Sequence, residues 1–189
     1  MALTKSPAGL HPAGLYRPDY EHDACGLAFV ADMHGRRAHR LVELGLAALC
    51  NLEHRGASGA EADTGDGAGI LLQVPDALYR ELAGLTGLEL PPPGCYGTGL
   101  AFLPDDPGTQ SALRAALGDL ARSEGLEVLG WRDVPVDPAG LGRSARAAMP
   151  AIRQLFVATP ARHGGLELER RLWFLRKQAE RDLEVYFPS

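Results

Sequence analysis

The chain has 189 residues, a formal net charge of −5, and 46% hydrophobic and 23% charged residues. That length suits one domain, and that composition excludes a disordered tail, a collagen-like repeat and a coiled-coil rod. An acidic balance without a Lys/Arg block argues against nucleic acid or an anionic membrane as the main partner, and no run of about 18 apolar residues offers a membrane span.

Residues 1–24 differ in character from the rest of the chain. They hold Pro7, Pro12 and Pro18 and end in an acidic stretch, Asp19-Tyr-Glu-His-Asp23. They lack the basic start and apolar centre of a secretory signal and read as an unpacked N-terminal segment. Cys25-Gly-Leu-Ala-Phe-Val30 is a short apolar run that predicts a buried strand, and Asp32-Met-His-Gly35 predicts a turn. Ala38, Leu41, Val42, Gly45, Leu46, Leu49 and Leu52 recur at three- and four-residue steps, one face of an amphipathic helix. Residues 53–67 form a polar, glycine-rich loop. Gly69–Val74 predicts a second strand, and Pro75 opens a short helix. A Gly/Pro-rich connection over 84–95 comes next. Strands are predicted over Tyr96–Leu103, Leu126–Trp131 and Ala151–Ala158, with a helix over 109–124. The longest helix is predicted over Leu166–Leu183, with Leu168, Leu172, Leu175, Ala179 and Leu183 on its core face and a Glu167–Arg171 pair one turn apart. Tyr186-Phe-Pro-Ser189 begins an extended stretch, as an edge strand or as a sequence cut short.

The three cysteines, Cys25, Cys50 and Cys95, are odd in number, sparse and without a CxxC pair. That pattern predicts a reducing, cytoplasmic setting and no zinc site. His34 and His39 are five residues apart, poor spacing for two ligands on one helix face.

The loop Glu53–Ile70 concentrates Arg55, Asp63 and Asp66 among Gly56, Gly59, Gly65, Gly67 and Gly69. Such a loop lets backbone N–H groups approach a ligand. Gly65-x-Gly67-x-Gly69 departs from the dinucleotide fingerprint and precedes a predicted strand, whereas that fingerprint opens a helix. On physical grounds a plain surface loop and a binding loop are equally open.

Cys25 has two readings. One is a small buried side chain at a strand start, which also suits Cys50 and Cys95. The other is a nucleophile, which needs a base, and His22 is a poor one in the N-terminal segment. Cleavage between Ala24 and Cys25 supplies a different base. The new α-amine, with an ordinary pKa of roughly 7.7–8.0, sits on the same residue as the thiol and can take its proton.

Three stretches in combination resemble the large, amidotransferase-bearing chain of glutamate synthases: Gly14-Leu-Tyr-Arg-Pro-Asp-Tyr-Glu-His-Asp-Ala-Cys-Gly26, Leu52-Glu-His-Arg-Gly56 and Thr64-Gly-Asp-Gly-Ala-Gly-Ile70. Gly130–Pro135, Gln154–Val157 and Leu172–Lys177 fit the same family more loosely. The resemblance implies an α+β, N-terminal nucleophile hydrolase fold: two stacked antiparallel sheets between helix layers, here the front half only. It implies a propeptide-like segment over 1–24 and a partial class II glutamine amidotransferase domain over 25–189. Cys25 is then the nucleophile with its freed α-amine as base, and Gly26 is its matching neighbour. Arg55 and Gly56, with Thr64, Asp66 and Gly67, line or support the site. The implied reaction hydrolyses L-glutamine to glutamate and ammonia, which aminates 2-oxoglutarate at a distant flavin site. No cofactor is expected in this chain. FMN and an iron–sulfur cluster are implied for the full-length enzyme, with the remainder of that chain and a small electron-donating subunit as partners.

One departure is specific. The family holds its tetrahedral intermediate with a downstream Asn-Gly pair, and Asn51, followed by Leu52, is the only asparagine here. The expectation is an incomplete fragment, inactive alone. The competing expectations are a non-catalytic binding module with the same fold start, and another N-terminal-cysteine amide hydrolase.

Overall fold

The computed structural model describes residues 26–56, 61, 64–65 and 67–188. They divide into two compact units: residues 26–56, 65 and 67–70 belong to one, and residues 61, 64 and 71–188 to the other.

The larger unit is built on three strands, β1 (Gly97–Leu103), β2 (Glu127–Asp133) and β3 (Ala151–Ala158). Their order is β1-β3-β2, with both neighbours antiparallel to β3. Gly97 lies opposite Val157 and Leu103 opposite Ala151. On the other side Glu127 faces Ala158, and an irregularity between Val128 and Gly130 shifts the register. The central strand is covered on both faces, which is why Leu155-Phe-Val-Ala158 is an unbroken apolar run rather than an alternating one.

Two helices cover one face, α3 (Pro107–Ser123) and α5 (Leu166–Asp182), numbered after α1 (His39–Asn51) and α2 (Asp76–Thr86). Leu117 and Ala121 of α3 and Leu168, Leu175 and Ala179 of α5 form a core with Ala101, Leu103, Leu155 and Val157. The side chains predicted for the inner face of the longest helix are those that pack there, with Leu172 and Leu183 at its border. Arg171 joins Glu167 at 2.9 Å, as its spacing requires. It also donates to the Glu124 carbonyl at the C-terminal end of α3. The start of α3 is capped by Asp106, whose carboxylate accepts from the Thr109 amide at 2.6 Å, with Pro107 in the first turn.

The opposite face carries Phe156, Ala158 and Tyr96 with Tyr79 of α2, Leu88 and Leu90. Tyr79 meets Phe156 edge-on. The Tyr96 hydroxyl donates to Asp76 at 3.0 Å, and burial together with that carboxylate pushes its pKa up. Within the sheet, Gln154 is buried, its amide donating to Thr98 and its oxygen accepting from Arg132. Residues past α5 continue the core. Val185 and Phe187 are buried, and Phe102 donates its amide to the Tyr186 carbonyl as an antiparallel bridge on the outer edge of β1.

The last predicted helix and the strands after residue 95 lie within one or two residues of their predicted bounds. A short helix, α4 (Arg143–Ala147), was not predicted. Its five residues hold two alanines and two arginines and carry no apolar period to read. Two corrections concern strands. Residues 26–30 are not a buried strand: Leu27 is 84% and Phe29 91% exposed. Residues 69–74 form no strand either, and Leu71 is exposed. An apolar run becomes a strand only by exchanging backbone hydrogen bonds with a neighbour, and neither segment has a ladder partner among the described residues. The described residues therefore form a mixed α/β arrangement around one three-stranded antiparallel sheet.

The cysteine expectation changes too. Cys50 is exposed and Cys95 half-buried. The half-buried positions of α1 are Leu41, Val42, Gly45, Ala48 and Leu49, and Cys50 projects away from that stripe. No helix among the described residues is long and apolar enough to cross a membrane.

Candidate functional site

Helix α1 organises the smaller unit. The turn predicted before it is formed, with the Gly35 amide bonded to the Asp32 carbonyl at 3.0 Å. Asp32 also accepts from Arg36, whose side chain and amide, with the His34 amide, hold the carboxyl below its ordinary pKa. After Asn51 the helix tightens into a single 3-10 turn over Glu53–Arg55.

Gly26 lies against the C-terminal end of this helix. A Cβ on Gly26 would stand only 3.0 Å from a methyl of Leu52, so the backbone rests directly on that side chain. Seven residues back, Gly45 plays the complementary part. A Cβ there would come within 2.8 Å of the Ile70 side chain. Positions seven apart are two turns apart and share a helix face. The face of α1 that carries Gly45, continued by the C-cap residue Leu52, thus seats both the residue after Cys25 and the end of the glycine-rich loop. The first two recognised stretches meet at Gly26 and Leu52, and the third is anchored beside them through Ile70.

Arg55 closes the 3-10 turn, its amide donating to the Leu52 carbonyl at 2.8 Å, and its side chain is exposed. Gly56 is extended, and its amide donates to the Glu53 carbonyl at 3.0 Å. His54 is bonded through Nδ1 to the Asn51 carbonyl. Gly67 is exposed, with open space where a Cβ would stand. Thr64 belongs to the larger unit and is half-buried. Its hydroxyl donates to Glu61 at 3.1 Å, and its amide to the Glu61 carbonyl. Cys25 and Asp66 lie outside the described residues. Among the described residues no three His, Cys, Asp or Glu side chains converge as a metal site would require.

Sequence reasoning passed over two contributors. Gly45 was visible as a glycine inside an apolar helical face, and Leu52 as the residue preceding Glu-His-Arg-Gly.

The family model described as glutamine amidotransferases class-II matches residues 25–188. The chain is 41% identical over 182 residues to the glutamate synthase [NADPH] large chain of Bacillus subtilis (strain 168), covering 93% of this chain and 12% of that one. It is 41% identical over 156 residues to ferredoxin-dependent glutamate synthase 2 of Synechocystis sp., covering 82% and 10%. It is 39% identical over 189 residues to the glutamate synthase [NADH] of Saccharomyces cerevisiae, covering 94% and 9%. This chain therefore spans about a tenth of the length of these relatives.

Proposed function

The chain belongs to the class-II glutamine amidotransferases, and from that premise we propose that it supplies the nucleophile-bearing part of the amidotransferase domain of a glutamate synthase. The observation that carries this reading is the seating of Gly26 on Leu52, the C-cap of α1, and of Ile70 against Gly45 two turns back. It brings the ends of the first and third stretches to a common support. The identity to glutamate synthases across most of the chain supports the same assignment.

In this reading, residues 1–24 are removed and Cys25 becomes the N-terminus. The freed α-amine takes the thiol proton, and the thiolate attacks the side-chain amide carbon of L-glutamine. The C–N bond breaks as the amine returns a proton to the leaving nitrogen, and ammonia departs. Water then hydrolyses the γ-glutamyl thioester, releasing glutamate and restoring the thiol. Gly26 keeps the backbone beside the nucleophile close to Leu52. Arg55, fixed by its 3-10 turn, and Gly56 border the site. Thr64, Asp66 and Gly67 supply the loop that lines it.

The ammonia released aminates 2-oxoglutarate elsewhere in a longer protein. There FMN and an iron–sulfur cluster would relay the two electrons that the reduction takes from an external electron donor. Both groups, and a small electron-donating subunit, are assigned to the remainder of that assembly. The same remainder completes the two stacked sheets and contributes the oxyanion donors. The setting proposed is cytoplasmic.

Arg55→Ala tests the placement of the site. In the full-length enzyme it is expected to lower glutamine-dependent turnover by about tenfold to a hundredfold, the range that misplacing a reacting group produces, while ammonium-dependent turnover is retained. Steady-state glutamate formation with each nitrogen source is the measurement. Unchanged use of glutamine would remove Arg55 from the site.

A further inference from the structure

One oxygen of Glu61 ties Thr64, the first residue of the Thr64–Ile70 stretch, to a segment far along the chain. Oε2 accepts from the Thr64 hydroxyl at 3.1 Å, from the Ser144 hydroxyl at 2.9 Å and from the Ser144 amide at 3.0 Å. Ser144 is 83 residues downstream, in α4, and all three residues belong to the larger unit. Arg143 stands 3.9 Å from the other carboxylate oxygen but is almost wholly exposed, so it adds little. The Ser144 amide and hydroxyl, which favour the charged form, hold the Glu61 carboxyl below its ordinary pKa, with Thr64 a smaller contributor.

We infer that Glu61 is a positioning residue for glutamine use, a tether that fixes the start of the Thr64–Ile70 stretch against Ser144. The inference rests on the proposed function for its effect on glutamine. The tether itself rests only on the three hydrogen bonds. A glycine-rich segment has many backbone conformations, and each must be given up when a ligand is bound. A fixed point beside Thr64 removes part of that cost before the ligand arrives. The carboxylate suits this role because one oxygen can serve several donors at once. Glutamine in its place keeps an acceptor oxygen of nearly the same reach, whereas alanine keeps none.

The test uses the full-length enzyme and three variants: Glu61→Ala, Glu61→Gln and Ser144→Ala. Hydrogen exchange reads the tether directly. In Glu61→Ala the Ser144 and Thr64 amides are expected to exchange faster, while those of β3 keep their protection, which shows that the fold is intact. Glutamine kinetics read the consequence. Glu61→Ala is expected to raise KM for glutamine by about tenfold, with a smaller change in kcat, the sign of lost pre-organisation. Glu61→Gln is expected to recover most of that loss and Ser144→Ala to show part of it, with ammonium-dependent turnover unchanged throughout. Unaltered exchange at Ser144 and Thr64 in Glu61→Ala would overturn the tether. Faster exchange with unaltered KM would overturn its role in glutamine use. A parent enzyme that makes no use of glutamine would overturn the proposed function instead, and the exchange result would still decide the tether.

Discussion

Cys25→Ala in the full-length enzyme is expected to abolish glutamine-dependent glutamate formation and to leave ammonium-dependent formation largely intact. Alanine has no nucleophile, so the γ-glutamyl thioester cannot form and the amide nitrogen is not released. Serine at the same position is expected to fare almost as badly, because its hydroxyl is far less ionised near neutral pH than a thiol. The amination of 2-oxoglutarate draws on ammonia and not on the thiol, so supplied ammonium bypasses the lesion. Cys50→Ala and Cys95→Ala serve as controls. Cys50 is exposed and Cys95 half-buried, so neither change empties a core position, and glutamine use is expected to persist. The measurement is steady-state glutamate production from 2-oxoglutarate, once with glutamine and once with an ammonium salt. Normal glutamine-dependent turnover in Cys25→Ala would remove the nucleophile assignment. Equal loss of both activities in a folded variant would remove the division into two sites.

The second large effect concerns the 189 residues by themselves. They are expected to show glutamine hydrolysis at least about 10²–10³-fold below that of the full-length enzyme, since losing even one oxyanion donor costs that much. The chain has a single asparagine, Asn51, at the end of α1 and not followed by glycine. It cannot provide the downstream Asn-Gly pair that the resemblance to the family implies. Leu27, Phe29 and Leu71 are exposed, and apolar segments with free backbone groups promote association. The purified chain is therefore also expected to self-associate as its concentration rises. Hydrolysis at a rate matching the full-length enzyme would contradict this account of the missing donors.

The larger unit was legible where its residues repeat with a clear period. The helical spacing of Leu168, Leu175 and Ala179 and the unbroken run Leu155–Ala158 each point to one structure, and each packs accordingly. The pairing order β1-β3-β2 was not legible, because strand neighbours are chosen by tertiary contacts that leave no mark on single segments. The same reasoning explains the two strands that do not form. Residues 26–30 and 69–74 have strand-like composition, but composition does not supply a partner. At the candidate site, the glycines and Arg55 stood out as residue types gathered in a short stretch. The support that α1 and its C-cap give Gly26 and Ile70 emerged only from the close approaches at Gly26 and Gly45. Glu61 was invisible for a simpler reason. Its value depends on Ser144, 83 residues away, and no local spacing connects them.

The most direct test of the central claim, that a freed Cys25 is the glutamine nucleophile, is the mass of the N-terminal peptide after reaction with a thiol-directed glutamine analogue. The full-length enzyme is inactivated with the analogue, digested and analysed by mass spectrometry. The account predicts a mature chain that begins at Cys25 and carries one adduct on that residue, in proportion to the glutamine-dependent activity lost. An enzyme that uses glutamine while still beginning at Met1, or one whose adduct lies on another residue, would contradict it.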